Sequence, residues 1–445
     1  MLNFAQHRQT LLENMQDNSL AVIPSATLMT RNRDAEFPFR QSSDFFYLTG
    51  FTEDSACLVL SKKAGKCSSV LFCQPKVKEM EIWTGYRLGP DAAIEELNMD
   101  AAFAIGDLEK QLPDLMSDLE NIYAPWGSNK DWDAKLISAI EGVKLKVRTG
   151  VSAPTAMIAI EPLLHEQRLI KSDAEIDLMQ RAADMSAQGH TKAMEMVKPG
   201  MFEYQLEGEI RHHCSQQGSR FDAYSTIVGS GENACILHYT ANDEKIEDGD
   251  LILIDAGCEL NHYASDITRT FPANGKFSEP QAALYQLVLD AQLAAIEKVK
   301  PGNTFNDPHE ITLQVITQGL VDLGLIKTIA EDGTQKDLAQ LIKDEAYKPF
   351  YMHKTGHWLG LDVHDVGSYK IKGQWRDLQA GMVLTVEPGI YVAPDNMDVE
   401  EKWRGIGIRI EDDVLVTDSE LGHHVLSANV VKSIADIEAL TSKNQ

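Results

Sequence analysis

One strand pattern occurs twice in this chain of 445 residues. The segments GDLILIDAG (249–257) and GMVLTVEPG (381–389) share a glycine, one residue, a mostly apolar run of four, an acid, one residue and a glycine. Each segment is predicted as a buried strand that ends in a carboxylate. The tetrapeptide VKPG precedes each of them, at 197–200 and at 299–302, where it closes a predicted helix. Together the two matches predict an internal duplication whose halves face each other and bring the carboxylates together.

The length of the chain predicts two domains, because a single hydrophobic core rarely extends over so many residues. The first third alternates short apolar runs with amphipathic patterns, and residues 1–170 are predicted to form a small α/β domain. Strands are expected at 20–26, 56–63 and 68–75, and helices at 94–100 and 107–120. This domain contains no recognisable catalytic combination of residues.

A second domain, residues 171–445, is predicted to begin with a helix. Ser172 and Glu175 have the spacing of a capping box, and apolar residues then follow at helical spacing as far as the first VKPG. Another helix is expected from about Pro280 to the second VKPG. The fold class expected for the whole chain is therefore α/β (α+β), with a pseudo-twofold repeat in the second domain.

Composition limits the classes of partner. The net charge of −26 argues against binding to nucleic acid or to an anionic membrane, because both require a cationic face. No apolar run is long enough to span a membrane, and the first residues lack the apolar core of a secretory signal. The six cysteines show no C-x-x-C pair, which is typical of reduced thiols in a cytoplasmic protein.

Five residues are candidate metal ligands. Asp255 and Glu387 end the two repeated strands. Asp266 lies in HYASDITRTF, a β-branched stretch that is expected to pair as a hairpin with the strand that Asp255 ends. Glu411 follows alternating isoleucines in GIGIRIEDD, on a predicted strand whose face it shares with an arginine. His357 lies in the glycine-interrupted segment HKTGHWLGLDVHD, which is predicted as a loop or a bulged strand.

Each candidate ligand alone is weak evidence, but the set has a definite chemistry. Four carboxylates and one imidazole form a hard, oxygen-rich site that suits Mn²⁺, Co²⁺ or Fe²⁺ better than Zn²⁺. Four carboxylates also suffice to bridge and cap two ions, as in two-metal hydrolases, where a water held between the ions becomes a nucleophile at neutral pH. The chain contains no G-x-S-x-G elbow, Walker A loop or G-x-G-x-x-G fingerprint.

Five longer segments resemble the pita-bread metallopeptidases, and as a set they are most similar to the aminopeptidase P family: YSTIVGSGENACILHYT, DLILIDAGCELNHYASDITRTFPANGKF, HKTGHWLGLDVHDVG, VLTVEPGIYVAP and WRGIGIRIEDDVLVT. The resemblance covers residue 172 to about residue 430 and extends to RQSSDFFYLTGF (40–51) and EIWTGYRLG (81–89). It implies a creatinase-like second domain with pseudo-twofold symmetry. The activity that it implies is removal of the N-terminal residue from peptides with proline in second position.

The resemblance also implies two Mn²⁺ ions, with Co²⁺, Fe²⁺ or Zn²⁺ as substitutes, held by the five candidate ligands with Asp266 and Glu411 bridging. Catalytic roles are expected for Glu387, His353, His364 and Arg409. A metal-bridging hydroxide would attack the scissile carbonyl, His353 would stabilise the oxyanion, and Glu387 would pass a proton to the leaving proline nitrogen. Thr268 is expected to support the neighbouring Asp266.

Four residues are expected to contact the substrate: His238, His353, His364 and Trp83. Trp83 matches a family tryptophan that reaches the active site of a neighbouring subunit in tetrameric members. The resemblance therefore implies a homo-oligomer, either a dimer or a tetramer, whose N-terminal domain serves substrate access and oligomerisation.

Two alternative functions remain open from the sequence. Prolidase, which cleaves only Xaa-Pro dipeptides, has a similar size and the same ligand set. The stretch VAPDNMDVEEKWRGIGIRIEDD favours aminopeptidase P, because its similarity to that family extends beyond the ligands. A metal-free binding protein on the same fold is the second alternative, and the presence of all five ligands argues against it.

Overall fold

The computed structural model describes residues 2–329 and 333–442. The chain folds into two compact units, Met1–Arg168 and Leu169–Gln445. The helices of the first unit are α1 (Phe4–Asn14), α2 (Ser43–Thr49), α3 (Lys78–Thr84), α4 (Gly89–Glu96), α5 (Leu108–Leu115), α6 (Lys130–Lys144) and α7 (Glu161–Leu169). Its strands are β1 (Ser19–Pro24), β2 (Thr30–Asn32), β3 (Ala35–Glu36), β4 (Cys57–Lys63), β5 (Lys66–Cys73), β6 (Ala101–Ala104), β7 (Asn121–Ala124) and β8 (Ala156–Ala159).

A mixed sheet of six strands forms the centre of the first unit, in the order β6-β5-β4-β1-β7-β8. Strands β1, β4 and β5 pair in antiparallel fashion, and β6, β7 and β8 join in parallel. The apolar side of the sheet packs against α5 and α6, through buried residues such as Leu112 and Val143. The predicted small α/β domain is therefore present.

The strand predictions for this unit agree with β1, β4 and β5 within a few residues. The helix predicted at 94–100 is wrong in its bounds, since α4 runs over Gly89–Glu96. Pro90 fits the first turn of a helix, where its missing N–H costs nothing. The chain then leaves the helical conformation at Asn98, whose φ is 52°. The helix predicted at 107–120 is shorter in the structure and ends at Leu115.

The second unit contains six helices and thirteen short strands among its described residues. The helices are α8 (Asp173–Met196), α9 (Glu203–Gln216), α10 (Glu279–Ile296), α11 (Asp307–Asp322), α12 (Leu338–Lys343) and α13 (Ile434–Thr441). The strands are β9 (Phe221–Asp222), β10 (Ile227–Ser230), β11 (Leu251–Asp255), β12 (Cys258–Leu260), β13 (Tyr263–Ala264), β14 (Thr268–Pro272), β15 (Lys370–Ile371), β16 (Gln374–Trp375), β17 (Val383–Val386), β18 (Gly389–Tyr391), β19 (Gly407–Arg409), β20 (Asp412–Val416) and β21 (His423–Val425).

The duplicated pattern folds into two similar strand pairs. Strand β11 pairs antiparallel with β14, and β17 pairs antiparallel with β20. In each pair the first strand leads directly to a carboxylate, and another carboxylate stands just before the second strand. The strand predicted across 406–411 is divided, because β19 pairs with β18 whereas β20 pairs with β17. Helix α10 packs its buried face on the second pair and encloses an apolar core.

Helices α8 and α10 both begin with a capping box, the first of which was predicted. At α8 the backbone N–H of Ser172 donates to Glu175 Oε2 at 2.8 Å. The Ser172 hydroxyl donates to the same oxygen at 2.7 Å. Within the described part of the chain, no helix is both long enough and apolar enough to cross a membrane.

The capping box of α8 gives a stability prediction. Ser172→Ala is expected to lower the free energy of unfolding by about 1 kcal/mol, because the first turn of the helix loses its side-chain cap. Urea unfolding followed by circular dichroism measures the loss. Ser215→Ala, at an exposed position near the end of α9, is the matched control and is expected to stay within about 0.5 kcal/mol of the parent. Equal stability of the two variants would contradict the prediction.

Candidate metal centre

The five candidate ligands line one cavity of about 450 Å³ in the second unit. The structure brings them together from the ends of the two strand pairs and from one loop. Three of them lie at a strand end or directly beside one: Asp255 ends β11, Glu387 follows β17 and Glu411 precedes β20. Asp266 lies two residues before β14, and His357 lies in an irregular segment beside β17. The predicted hairpin is present, with Asp255 opposite Thr268.

Two glycines allow the chain to approach itself closely beside the ligands. A Cβ atom on Gly356 would lie 1.9 Å from the carbonyl oxygen of Thr385, where the His357 segment runs along β17. A Cβ atom on Gly257 would lie 1.7 Å from the carbonyl oxygen of Ser265, in the connection between Asp255 and Asp266. Only glycine fits at these positions, because any side chain would overlap backbone atoms.

The imidazole of His357 is oriented for coordination. Its Nδ1 lies 3.0 Å from the carbonyl oxygen of Trp358, which only accepts hydrogen bonds, so Nδ1 carries the proton. This leaves Nε2 facing the cavity, 3.3 Å from Asp266 Oδ2 and 3.8 Å from Glu387 Oε1. A histidine whose second nitrogen donates to a carbonyl is the usual arrangement of a metal ligand. One donor atom each from Asp266, His357 and Glu411 lie within 4.8 Å of one another, which suits a shared cation.

The electrostatics of the cavity also favour a cation. Burial, together with the charges of Asp266 and Asp255, raises the pKa of Glu387 to about 7 against the opposing effect of His357 and Arg409. Burial and the neighbouring carboxylates raise the pKa of Glu411 well above its ordinary value. Several buried carboxylates at this distance repel one another, and a divalent cation relieves the repulsion. The donor set therefore fits a metal-binding site.

His357 competes with a metal for the same lone pair. Burial favours the neutral imidazole, but the contact with Asp266 and the charge of Glu387 raise the pKa of His357 to about 9. The metal-free site thus holds a proton on the ligand nitrogen at neutral pH. Since a ligating imidazole must be neutral, binding of a cation releases this proton.

Arg409 and Thr268 connect the ligands on the wall of the cavity. Arg409 Nη2 donates to Asp255 Oδ2 at 2.6 Å, and Arg409 Nε donates to Thr268 Oγ1 at 3.2 Å. The Thr268 hydroxyl in turn donates to Glu411 Oε2 at 2.6 Å. Thr268 therefore supports Glu411, whereas the sequence predicted support of Asp266.

Tyr224 is a site residue that the sequence reasoning missed. Its hydroxyl oxygen lies 2.6 Å from Asp255 Oδ1 and 2.5 Å from Asp266 Oδ1. Because a phenol has one proton, it donates to one of these carboxylates at a time. Tyr224 stands in FDAYSTIVG, just before β10, where a single tyrosine in an apolar run is more typical of a core residue.

The three histidines expected to contact the substrate, His238, His353 and His364, all line the cavity. Burial lowers the pKa of His353 to about 3, so its imidazole is neutral. Its Nδ1 lies 2.8 Å from the Lys354 carbonyl oxygen and its Nε2 lies 2.9 Å from the Tyr391 hydroxyl. Nδ1 therefore donates and Nε2 accepts. To donate a hydrogen bond to an oxyanion, His353 must first lose its bond to the Lys354 carbonyl oxygen or to the Tyr391 hydroxyl.

Trp83 belongs to the first unit, where it lies near the end of α3 with 84% of its surface exposed. Its neighbours Ile82 and Tyr86 are also exposed. The helix buries none of its residues within this chain.

Comparison with known proteins identifies the family. The profile of metallopeptidase family M24 matches residues 177–418, and that of the aminopeptidase P N-terminal domain matches residues 4–123. The chain belongs to the aminopeptidase P family of M24 metallopeptidases. It is 47% identical to the Xaa-Pro aminopeptidase of Escherichia coli over 98% of this chain and 97% of that protein. It is 35% identical to Xaa-Pro aminopeptidase 3 of Homo sapiens over 96% of this chain and 81% of that protein.

Solved structures of the family confirm the predicted fold class. The structure of Pseudomonas aeruginosa aminopeptidase PepP has a TM-score of 0.95 and 49% identity, over 100% of this chain and 99% of that one. The structure of zinc-substituted Escherichia coli aminopeptidase P in complex with product also has a TM-score of 0.95, with 46% identity over 99% and 98%. The pita-bread architecture of the second unit is thus shown. It was predicted from the resemblance, and the duplication predicted from the repeated strands agrees with it.

The electrostatics of the cavity predict the pH dependence of the metal-free protein. A carboxyl group with a raised folded-state pKa, such as Glu387, loses its contribution to stability as pH rises from its ordinary value through about 7. The raised pKa of His357 acts in the same direction up to about pH 9. Buried histidines with a lowered pKa, such as His353, act in the opposite direction below their ordinary pKa and no longer contribute above it. The melting temperature of the metal-free protein is therefore expected to fall between about pH 7 and about pH 9, as measured by scanning calorimetry. Excess Mn²⁺ at pH 8 should restore it, and a melting temperature that rises over this range without metal would contradict the assignment.

Proposed function

We propose that this protein is an Xaa-Pro aminopeptidase, which hydrolyses the first peptide bond of substrates with proline in second position. The observation that carries the proposal is the 47% identity to the Escherichia coli Xaa-Pro aminopeptidase over nearly the whole of both chains. The cavity supports it, because all five candidate ligands converge there beside three histidines.

The resident group is proposed to be two Mn²⁺ ions, with Asp255, Asp266, His357, Glu387 and Glu411 as ligands and with Asp266 and Glu411 shared between the ions. Five ligands with eight carboxylate oxygens and one nitrogen favour a hard cation over Zn²⁺, although Co²⁺, Fe²⁺ and Zn²⁺ are acceptable substitutes. When bound, such ions supply an activated water and polarise the scissile carbonyl.

The remaining chemistry is assigned to the chain's own side chains. Glu387 is suited to hold and pass a proton, because its pKa of about 7 lies near neutral pH. Arg409 holds the Asp255 carboxylate in place through its 2.6 Å hydrogen bond and opposes the rise in the pKa of Asp255 that burial causes. His238 and His364 line the part of the cavity available to the peptide, and His353 is held ready by Tyr391.

The oligomeric state and the compartment are also proposals. A homo-oligomer, either a dimer or a tetramer, would cover Ile82, Trp83 and Tyr86 of the first unit, whose exposures are 76%, 84% and 94%. Trp83 would then serve a neighbouring subunit. A cytoplasmic location fits the six cysteines, which are all free thiols in the structure.

A paired peptide assay separates this function from that of prolidase. With defined Mn²⁺ loading, an Xaa-Pro-Xaa tripeptide is expected to lose its first residue. Chromatography of the products measures the release, and a tripeptide without proline is the control. Cleavage of an Xaa-Pro dipeptide with no cleavage of the tripeptide would overturn the proposal in favour of prolidase. No stoichiometric metal and no activity after addition of Mn²⁺ would favour a binding protein.

The ligand assignment predicts that Asp255→Asn abolishes turnover and leaves the fold intact, because the amide cannot supply the anionic oxygen that a hard cation requires. Asp290→Asn is the matched control. It makes the same chemical change at an exposed position of α10, where the carboxylate only accepts a hydrogen bond from Gln286. Turnover by Asp255→Asn at a rate near that of the control would count against the assigned site.

A further inference from the structure

Arg269 is a fully buried cation outside the cavity. It lies in β14 between Thr268 and Thr270, and its exposed fraction is 0%. Thr268 faces the cavity side and bonds to the carboxylate of Glu411. Since successive side chains of a strand point to opposite faces, the guanidinium of Arg269 leaves the sheet on the reverse side. It therefore lies behind the metal centre and contacts none of the ligand carboxylates in the described hydrogen bonds.

All five N–H groups of this guanidinium have partners. Nη1 donates to the carbonyl oxygens of Thr268 at 2.9 Å and Glu411 at 2.6 Å. Nη2 donates to Asp412 Oδ1 at 2.7 Å and to the Val430 carbonyl oxygen at 3.2 Å. Nε donates to the Val431 carbonyl oxygen at 3.1 Å. Four of the five bonds thus end on backbone carbonyls, which belong to three different segments of the chain.

The backbone alone joins these segments weakly. Thr268 and Glu411 form an isolated bridge, in which the Glu411 N–H donates to the Thr268 carbonyl oxygen at 3.0 Å. Nη1 of Arg269 spans the same two residues from the reverse side and holds both carbonyl oxygens at once. One of these segments leads to Asp266 two residues earlier, and the other carries Glu411 itself. Arg269 therefore bonds at the contact between Thr268 and Glu411, and this contact sets the distance between the two strand pairs at the metal centre.

Asp412 keeps this guanidinium in place. Its carboxylate, also 0% exposed, accepts hydrogen bonds from Ser427 at 2.6 Å, Gln292 at 2.7 Å and Lys432 at 2.6 Å in addition to Arg269. A buried ion pair contributes little net stability compared with a well-packed apolar core, because both charges lose their hydration. Fixing one relative position of two segments is the role for which such pairs are best attested.

We propose that Arg269 is a positioning residue of the metal centre, which fixes the backbone of Glu411 against that of the Asp266–Thr268 segment so that the two bridging carboxylates hold their spacing. The proposal rests on the metal-binding part of the proposed function and is independent of the choice of peptide. Mn²⁺ affinity measured without peptide therefore tests it separately from the peptidase activity.

The test variant is Arg269→Lys, which keeps the positive charge but replaces the planar fork by a single ammonium that cannot span both carbonyl oxygens. Its Mn²⁺ affinity, measured by calorimetric titration of metal-stripped protein, is expected to fall about 10- to 100-fold. At saturating Mn²⁺ the variant is expected to have a lower kcat and an unchanged KM, because the peptide-binding histidines are not displaced.

Lys432→Met is the matched control, since Lys432 also bonds to Asp412 but reaches neither Thr268 nor Glu411. It is expected to lower the melting temperature and to keep the Mn²⁺ affinity of the parent within about twofold. The proposal is overturned if Arg269→Lys binds Mn²⁺ as tightly as Lys432→Met does. Both proteins are purified with excess Mn²⁺, which stabilises any variant that binds it in the native state. Failure of Arg269→Lys alone to fold under these conditions would show a general structural role and would also overturn the proposal.

Discussion

The cavity concentrates four buried carboxylates, and this repulsion is the constraint on which the rest of the second unit depends. Burial alone disfavours their ionised forms, and the charges of Asp255, Asp266 and Glu387 each raise the pKa of at least one other carboxyl group. Within the cavity lining, Arg409 and Lys354 supply two positive charges, and His357 supplies a third when it is protonated. Two divalent cations would more than balance the remainder. The fold therefore keeps the four carboxylates close to one another and shielded from water, an arrangement that bound cations stabilise.

The fold meets this constraint by placing the candidate ligands where strands end. A strand interior offers its backbone to its neighbours, whereas the residue just beyond it turns a side chain into the space between two pairs. Asp255 and Glu387 occupy such positions in the two repeats, and Glu411 stands at the start of β20. Because the strands themselves are fully buried, the carboxylates sit on a rigid frame. Rigid placement favours coordination, since the site loses little conformational entropy when the cation binds.

Local sequence patterns predicted the strands and helices of this site better than the hydrogen bonds between its residues. The glycine-bounded strands and the helix ends could be read along the chain, and with them the places of Asp255 and Glu387. The hydrogen bond from Tyr224 to Asp266 spans 42 residues, and that from Arg409 to Asp255 spans 154. No periodicity encodes such pairings, because they arise only when distant segments of the chain fold against each other. Thr268 illustrates the limit: a supporting role was predicted for it, but its partner Glu411 was not.

Two arginines act on Glu411 from opposite sides of the sheet. Arg409 acts mainly through its charge, and Arg269 acts mainly through the geometry of its hydrogen bonds. Arg409 faces the cavity, where it donates to Asp255 and Thr268 and lowers the pKa of the carboxyl groups around it. Arg269 on the reverse side is paired with Asp412, whose carboxylate also pairs with Lys432, so the charge of Arg269 is partly offset before it reaches the cavity. If Arg269 faced the cavity unpaired, its charge would weaken cation binding. Placing it on the reverse side and pairing it with Asp412 keeps its directional hydrogen bonds and reduces its field at the cavity, which favours a centre that binds added cations.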